Sequence, residues 1–251
     1  MALYKDFAND VYSELGYRAT WLPGTKVSLG DVGRIEDGVL TVETTLARLG
    51  IAFEADSDAV PEGTLDYQSK NAVSVVLKAA GSLDGRFKVL TAADAGALVE
   101  FSRDRAVLMQ LQAVTSSRIA DQAGLKRALL AAVVAADDQR RWQRDWVVVT
   151  DVVNAESATI LISGGSSSRL ELKAAASVAP ASLADANAGL TMAASNQLST
   201  TIVAERGLTP LYRALRVKRN FWWLYDEVVT ASGEAPDPEE LFDAADPAAD
   251  V

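Results

Sequence analysis

The chain of 251 residues contains no cysteine and no histidine. Without cysteine there is no disulfide, no thiolate metal site and no thiol nucleophile. Without histidine the commonest general base and the commonest metal ligand are both missing. A Ser-His-Asp triad, an H-E-x-x-H zinc site and a deaminase-type zinc site cannot be assembled from such a sequence. Aromatic residues make up only 7%, so Ala, Val and Leu must supply most of the core. Long apolar runs are lacking too. The best of them, Ala128–Ala136 (ALLAAVVAA), falls well short of the ~20 residues of a membrane-spanning helix. The first residues, MALYKDFANDVYSELGY, carry acids where the apolar stretch of a signal peptide would stand. The expectation is a soluble, cytoplasmic protein with no metal and no cofactor.

What is present is enough for a sizeable core, with 49% hydrophobic residues. The formal charge of −10 is unevenly placed. Residues 231–251 hold seven acids (Glu234, Asp237, Glu239, Glu240, Asp243, Asp246, Asp250) and no base, so removing them leaves −3 on residues 1–230. The balance argues against nucleic acid as a partner, because phosphate binding needs basic surface. The tail also contains two Asp-Pro steps, which favour turns over helix.

Along the chain, residues 3–15 read as an amphipathic helix, with Leu3, Phe7, Val11 and Leu15 four apart and Gly16 placed to end it. Pro23-Gly24 and Asp37-Gly38 mark turns between short strands. TLDYQSK (64–70) looks extended. Asn71–Ala80 matches a helix, with Val73, Val76, Leu77 and Ala80 at i, i+3, i+4 and i+7. RFKVL (86–90) and GALVEFSRDRAVLMQLQAV (96–114) read as strands. The clearest helix covers 119–136, on a stripe of Ile119, Leu125, Leu129, Ala132, Val133 and Ala136. Residues 144–178 predict three strands, separated by a turn at Asn154–Ser157 and a hairpin tip at Gly164–Ser168. The fold class expected is α+β: one domain over 1–230 and an acidic tail over 231–251.

SGGSSS (163–168) has the glycines of a phosphate-cradling loop, but it lacks the Lys-Ser/Thr ending and opens no clear helix. A turn between strands fits it better. Acid pairs such as Asp137-Asp138 and Glu239-Glu240 read as solvated charge. LYRALRVKRNFWW sets Arg213, Arg216, Lys218 and Arg219 beside Phe221, Trp222 and Trp223. Basic residues next to tryptophan suit the headgroup region of an anionic membrane, but the segment alone slightly favours an ordinary solvated strand edge with core tryptophans.

The more specific pattern is a pair of alternating stretches. Arg169–Val178 places Leu170, Leu172 and Val178 on one parity, with Glu171 and Lys173 on the other. GLTMAASNQLSTTIVAERG (189–207) places Leu190, Met192, Leu198 and Ile202 on one parity and Thr191, Ser195, Ser199 and Thr201 on the other. Each is at or above the ~9–11 residues of a tilted transmembrane strand. Weak apolar-out, polar-in alternation is the signature of such hairpins. A long hairpin of a soluble sheet produces the same alternation, and the periodicity alone favours that reading.

Several stretches, taken in order, resemble the bacterial gasdermins. They are LGYRATWLPGTKVSLGDVGRIEDGVL (15–40), NAVSVVLKAAG (71–81), DWVVVTDVVNAESATILISGGSSSRLELKAAASV (145–178) and GLTPLYRALRV (207–217), followed by a short tail. The resemblance covers most of residues 13–218. It implies a twisted antiparallel sheet with flanking helices, held inactive by a short C-terminal segment. It further implies an activating protease that removes this segment. The body then oligomerises with copies of itself and inserts β-hairpins into membrane lipids, forming a large pore in the cell inner membrane that kills the cell as antiphage defence. Mapped onto this chain, the inserting regions are about residues 65–114 and 160–206. Candidate lipid-facing residues are Leu170, Leu172, Val178, Leu190, Met192, Leu198 and Ile202. Arg213, Arg216, Lys218 and Arg219 are the candidate headgroup contacts. The inhibitory tail lies within 231–251, where Leu241 and Phe242 are the only large apolar groups besides the terminal Val251. Many bacterial members carry an acylated cysteine near the N-terminus, for which MALYKDF offers no acceptor.

Two other classes of function remain open on sequence alone. One is a soluble binding or adaptor module whose acidic tail docks on a basic partner. The other is a histidine-free hydrolase or transferase using Asp, Glu, Lys or Tyr, which nothing in the sequence positively favours.

Overall fold

Helix α1 (Leu3–Leu15) forms where the four-residue apolar spacing places it. It buries Phe7, Ala8 and Val11. Each larger side chain contributes about 1.5–3 kcal/mol of burial free energy. Gly16 ends the helix with φ 67°, and its amide bonds the Tyr12 carbonyl at 2.8 Å. The computed structural model describes residues 3–22, 24–58, 63–77, 81–82, 96–134, 142–143, 145–173, 183–187, 190–217 and 242–244.

The strands in chain order are β1 (Arg18–Ala19), β2 (Asp31–Glu36), β3 (Val39–Thr45), β4 (Ala55–Ser57), β5 (Thr64–Gln68), β6 (Val73–Leu77), β7 (Gly81–Ser82), β8 (Gly96–Phe101) and β9 (Val107–Ile119). Helix α2 (Gln122–Val134) follows, and then β10 (Trp146–Ser163), β11 (Arg169–Lys173), β12 (Thr191–Asn196), β13 (Leu198–Val217) and β14 (Phe242–Ala244). The protein is α+β in the broad sense, mostly antiparallel sheet with two short helices among the described residues.

The chain divides into two compact units. The first comprises Met1–Asp58, Ser116–Val153 and Thr209–Val251. Its strands run in the order β1-β13-β10-β2-β3. The β2–β3 hairpin turns at Asp37-Gly38, both with positive φ, as a two-residue turn matching strand twist requires. Gly33, at the irregularity in that pairing, admits no side chain, because a Cβ there would lie 1.9 Å from the Thr41 carbonyl oxygen. Helix α2 packs Leu125, Leu129 and Val133 against Val32, Leu46, Ile119, Trp146 and Val148. Trp142 and Trp146 meet edge to face, with centroids 5.6 Å apart.

The second unit comprises Ala59–Thr115 and Asn154–Leu208. It holds a five-stranded sheet in the order β12-β11-β8-β6-β7. Val99, Phe101, Leu108, Leu161, Leu170, Leu172 and Leu183 form its core.

Three sequence expectations are corrected. Of the expected helix Asn71–Ala80, the described residues 71–77 are not helical. Asn71 takes a left-handed turn conformation (φ 54°), and Val73–Leu77 is a strand paired along β8. Its β-branched valines suit a sheet, and with apolar groups at nearly every position the helical spacing is met by chance. Asn154–Ser157 is not a turn but the middle of the 18-residue β10. There Ala155 and Ser157 are buried and Glu156 is exposed, so tertiary pairing overrides local turn preference. Gly164–Ser168 does turn the chain, but β11 pairs with β8 and β12, so the turn is not the tip of a hairpin made by its own flanks. The expected strand at 86–90 lies outside the described residues.

Candidate functional site

Two places carry the sequence-predicted residues, one in each unit. In the second unit β11 and β12 form the expected antiparallel hairpin, with Leu170 opposite Ser195 and Leu172 opposite Met192. Between Glu171 and Leu172 the register shifts, and Ala193 is the extra residue on β12. Leu170 and Leu172 are fully buried in the core of this unit. Leu190 and Leu198 are half-buried against the same core, and Ile202 is half-buried in β13. Met192 stands apart, with 55% of its surface exposed. Val178 lies outside the described residues.

All six residues of β12 are exposed, and β12 is an edge of its sheet among the described residues. It carries no charge, proline or bulky blocking group of the kind that protects an edge. Gln197 (φ 51°) breaks the stretch read as one strand into β12 and β13. The carbonyl of Gln197 accepts the Gly164 amide at 2.7 Å, and Ser199 Oγ donates towards the Ile162 carbonyl at 3.0 Å. In SGGSSS the amides of Gly164 and Ser168 are thus spent on protein carbonyls, as in a structural turn rather than a phosphate cradle.

In the first unit β13 ends beside a strand from the tail. β14 pairs antiparallel with β13, setting Leu215 opposite Ala244, Arg216 opposite Asp243 and Val217 opposite Phe242. β1 pairs with Leu211 and Tyr212 of the same strand, so short strands hold β13 on either side of Arg213 and Ala214. Of the candidate headgroup contacts, Arg213 is exposed and Arg216 half-buried. Lys218, Arg219 and Leu241 lie outside the described residues. The backbone of Phe242 is in β14.

Among the described residues no group of three or more acids is arranged to hold a metal ion, and no helix is long and apolar enough to cross a membrane. Burial raises the carboxyls of Asp31 and Asp66 above their ordinary range, opposed by the Ser28 amide and the Thr64 hydroxyl respectively. No protein-family model and no curated protein matches the chain.

Of the two candidate residues of the inhibitory tail, Phe242 lies in β14 opposite Val217, and Leu241 is outside the described residues. The alternation of Leu215 and Val217 with Arg216 signalled a strand edge there, but not what covers it.

Proposed function

We propose that this protein is a pore-forming protein of the gasdermin type, non-enzymatic and kept inactive by its C-terminal tail. Proteolytic loss of the tail releases the body to assemble with further copies and to insert β-hairpins into a membrane. The observation that carries the reading is the pairing of β14 with β13, which gives the separable acidic segment a defined docking place on the body. The uncharged, exposed β12 edge supports it further, since inserted strands satisfy their backbone groups only by pairing around a closed barrel. Leu170 and Leu172, buried in this form, would face lipid only after refolding of the second unit. Loss of residues 231–251 takes the formal charge from −10 to −3, which eases approach to an anionic surface. The finer fold assignment, a gasdermin-like sheet with flanking helices, rests on the sequence resemblance together with the mostly antiparallel architecture.

The reading is tested by producing the full chain and residues 1–230 in bacterial cells and following uptake of a membrane-impermeant dye. Dye entry with the truncated form alone supports it. Viable, dye-excluding cells at equal levels of folded truncated protein would remove it.

A further inference from the structure

We propose that a cleft at one end of the five-stranded sheet binds a free α-amino acid, a zwitterion with its ammonium and carboxylate on one carbon. The cleft sits where β6 and β11 begin and β8 stops. Its volume is about 420 Å³, within the ordinary range of ligand pockets, and it lies wholly within the second unit. Asn71, Ser74, Glu100, Ser166, Ser167 and Arg169 supply its polar side chains, and all six are exposed at the mouth.

Two opposite charges that stand side by side without meeting give the cleft its chemistry. Glu100 on β8 has Arg169 of β11 as its register partner on one side and Ser74 of β6 on the other. Residues directly opposite on antiparallel strands share a face of the sheet, with Cβ atoms about 4.5–5.5 Å apart. Yet among the described residues neither Glu100 nor Arg169 makes a hydrogen bond or an ion pair. An exposed pair gains little by closing on itself, so both groups stay available. A simple anion would be repelled by Glu100 and a simple cation by Arg169. A ligand carrying both signs on one carbon satisfies the two together. Its ammonium donates to the Glu100 carboxylate, and its carboxylate accepts from the planar fork of Arg169, whose geometry matches two carboxylate oxygens. The Asn71 amide and the hydroxyls of Ser74, Ser166 and Ser167 are likewise without hydrogen bonds among the described residues. Each can donate or accept, so they serve the ligand's remaining protons and lone pairs.

The frame beneath these groups is tied together. Ala72, Phe101 and Ser168 form a buried floor. The Phe101 amide donates to the Ser168 carbonyl at 2.9 Å, and the Ser102 amide to the Ala72 carbonyl at 3.0 Å. Ser102 Oγ donates to the Asn71 carbonyl at 3.3 Å. Three segments distant in sequence are thereby joined below the charged pair, and a site formed in advance loses less on ordering when it binds. The SGGSSS turn takes part through the hydroxyls of Ser166 and Ser167 rather than through its amides. The proposal does not rest on pore formation, because binding is read on the intact chain whether or not it permeabilises anything.

The test titrates the isotope-labelled full chain with L-serine and follows backbone amide resonances by NMR. Two analogues each lack one charge: N-acetyl-L-serine has no ammonium, and ethanolamine has no carboxylate. Glu100→Gln and Arg169→Gln are the variants, since both side chains are exposed and their loss should leave the fold standing. Saturable shifts with L-serine are expected at residues 71–74, 100–102 and 166–169. Each analogue should bind at least about tenfold more weakly, and each variant should bind L-serine at least about tenfold more weakly. The absence of saturable shifts at these residues would overturn the proposal. So would an analogue that binds as tightly as L-serine, or binding that both variants retain in full.

Discussion

Val217 near the end of the body and Phe242 in the tail are register partners in an antiparallel pair, 25 residues apart in sequence. The body's last described strand therefore ends under a segment whose removal is the proposed trigger. Backbone bonds of this kind are abolished by proline, which has no N–H to donate. Replacing both Phe242 and Ala244 by proline should free β14. Amide hydrogen exchange at 215–217 should then speed up, and the uncleaved variant should leak dye from anionic vesicles above the wild-type background. Unchanged exchange would mean that the pairing does not hold the tail.

Met192→Asp separates the two states of the β11–β12 hairpin. Met192 is exposed in the described form, so its substitution should change stability by no more than about 0.5 kcal/mol. In an inserted hairpin the same position would face lipid, where a charge at the midplane is destabilising, by about 2–4 kcal/mol for Arg or Lys and by less for Asp. Dye release by the tail-free protein should fall, while urea midpoints of the intact protein stay put.

Leu172→Ala is the converse case. Leu172 is buried beside Leu170, Val99 and Leu108, so the truncation leaves a cavity and should cost about 2–5 kcal/mol. Urea unfolding monitored by tryptophan fluorescence or circular dichroism checks it. A loss below about 1 kcal/mol would show that the second unit is not close-packed there.

Asp66 gives a pH dependence with a definite sign. Burial raises its carboxyl, and the Thr64 hydroxyl only partly opposes this. The native state then holds the proton more tightly than the unfolded chain. Its contribution is fully present below the unfolded value near pH 4 and is lost as pH rises through the folded value. Asp66→Asn should flatten the fall in stability between about pH 4 and neutrality. At pH 3 variant and wild type should unfold at the same urea concentration, and at pH 7 the variant should be the more resistant. Parallel profiles would contradict the assignment.

Helix α1, the Asp37-Gly38 turn, α2 and the pairing of residues 169–173 with 191–196 were legible in the sequence, because each rests on a local rule: apolar spacing, positive φ or alternation. Val73–Leu77 and the middle of β10 were not, because there long-range pairing decides against local preference. The face of β11 read as lipid-seeking turns out to be core in this form. Alternation reports which side is apolar, not what that side meets. Legible least of all was the strand at Phe242–Ala244, three residues in a stretch of Asp, Pro and Ala whose structure depends on the edge of β13.

The most direct measurement is dye release from anionic liposomes by the full chain and by the same protein cut near residue 230, at equal concentration. The account expects the intact protein to leave the vesicles sealed and the cut protein to empty them, with a steep dependence on protein concentration that reflects assembly. Folded, tail-free protein that leaves the vesicles sealed would contradict it.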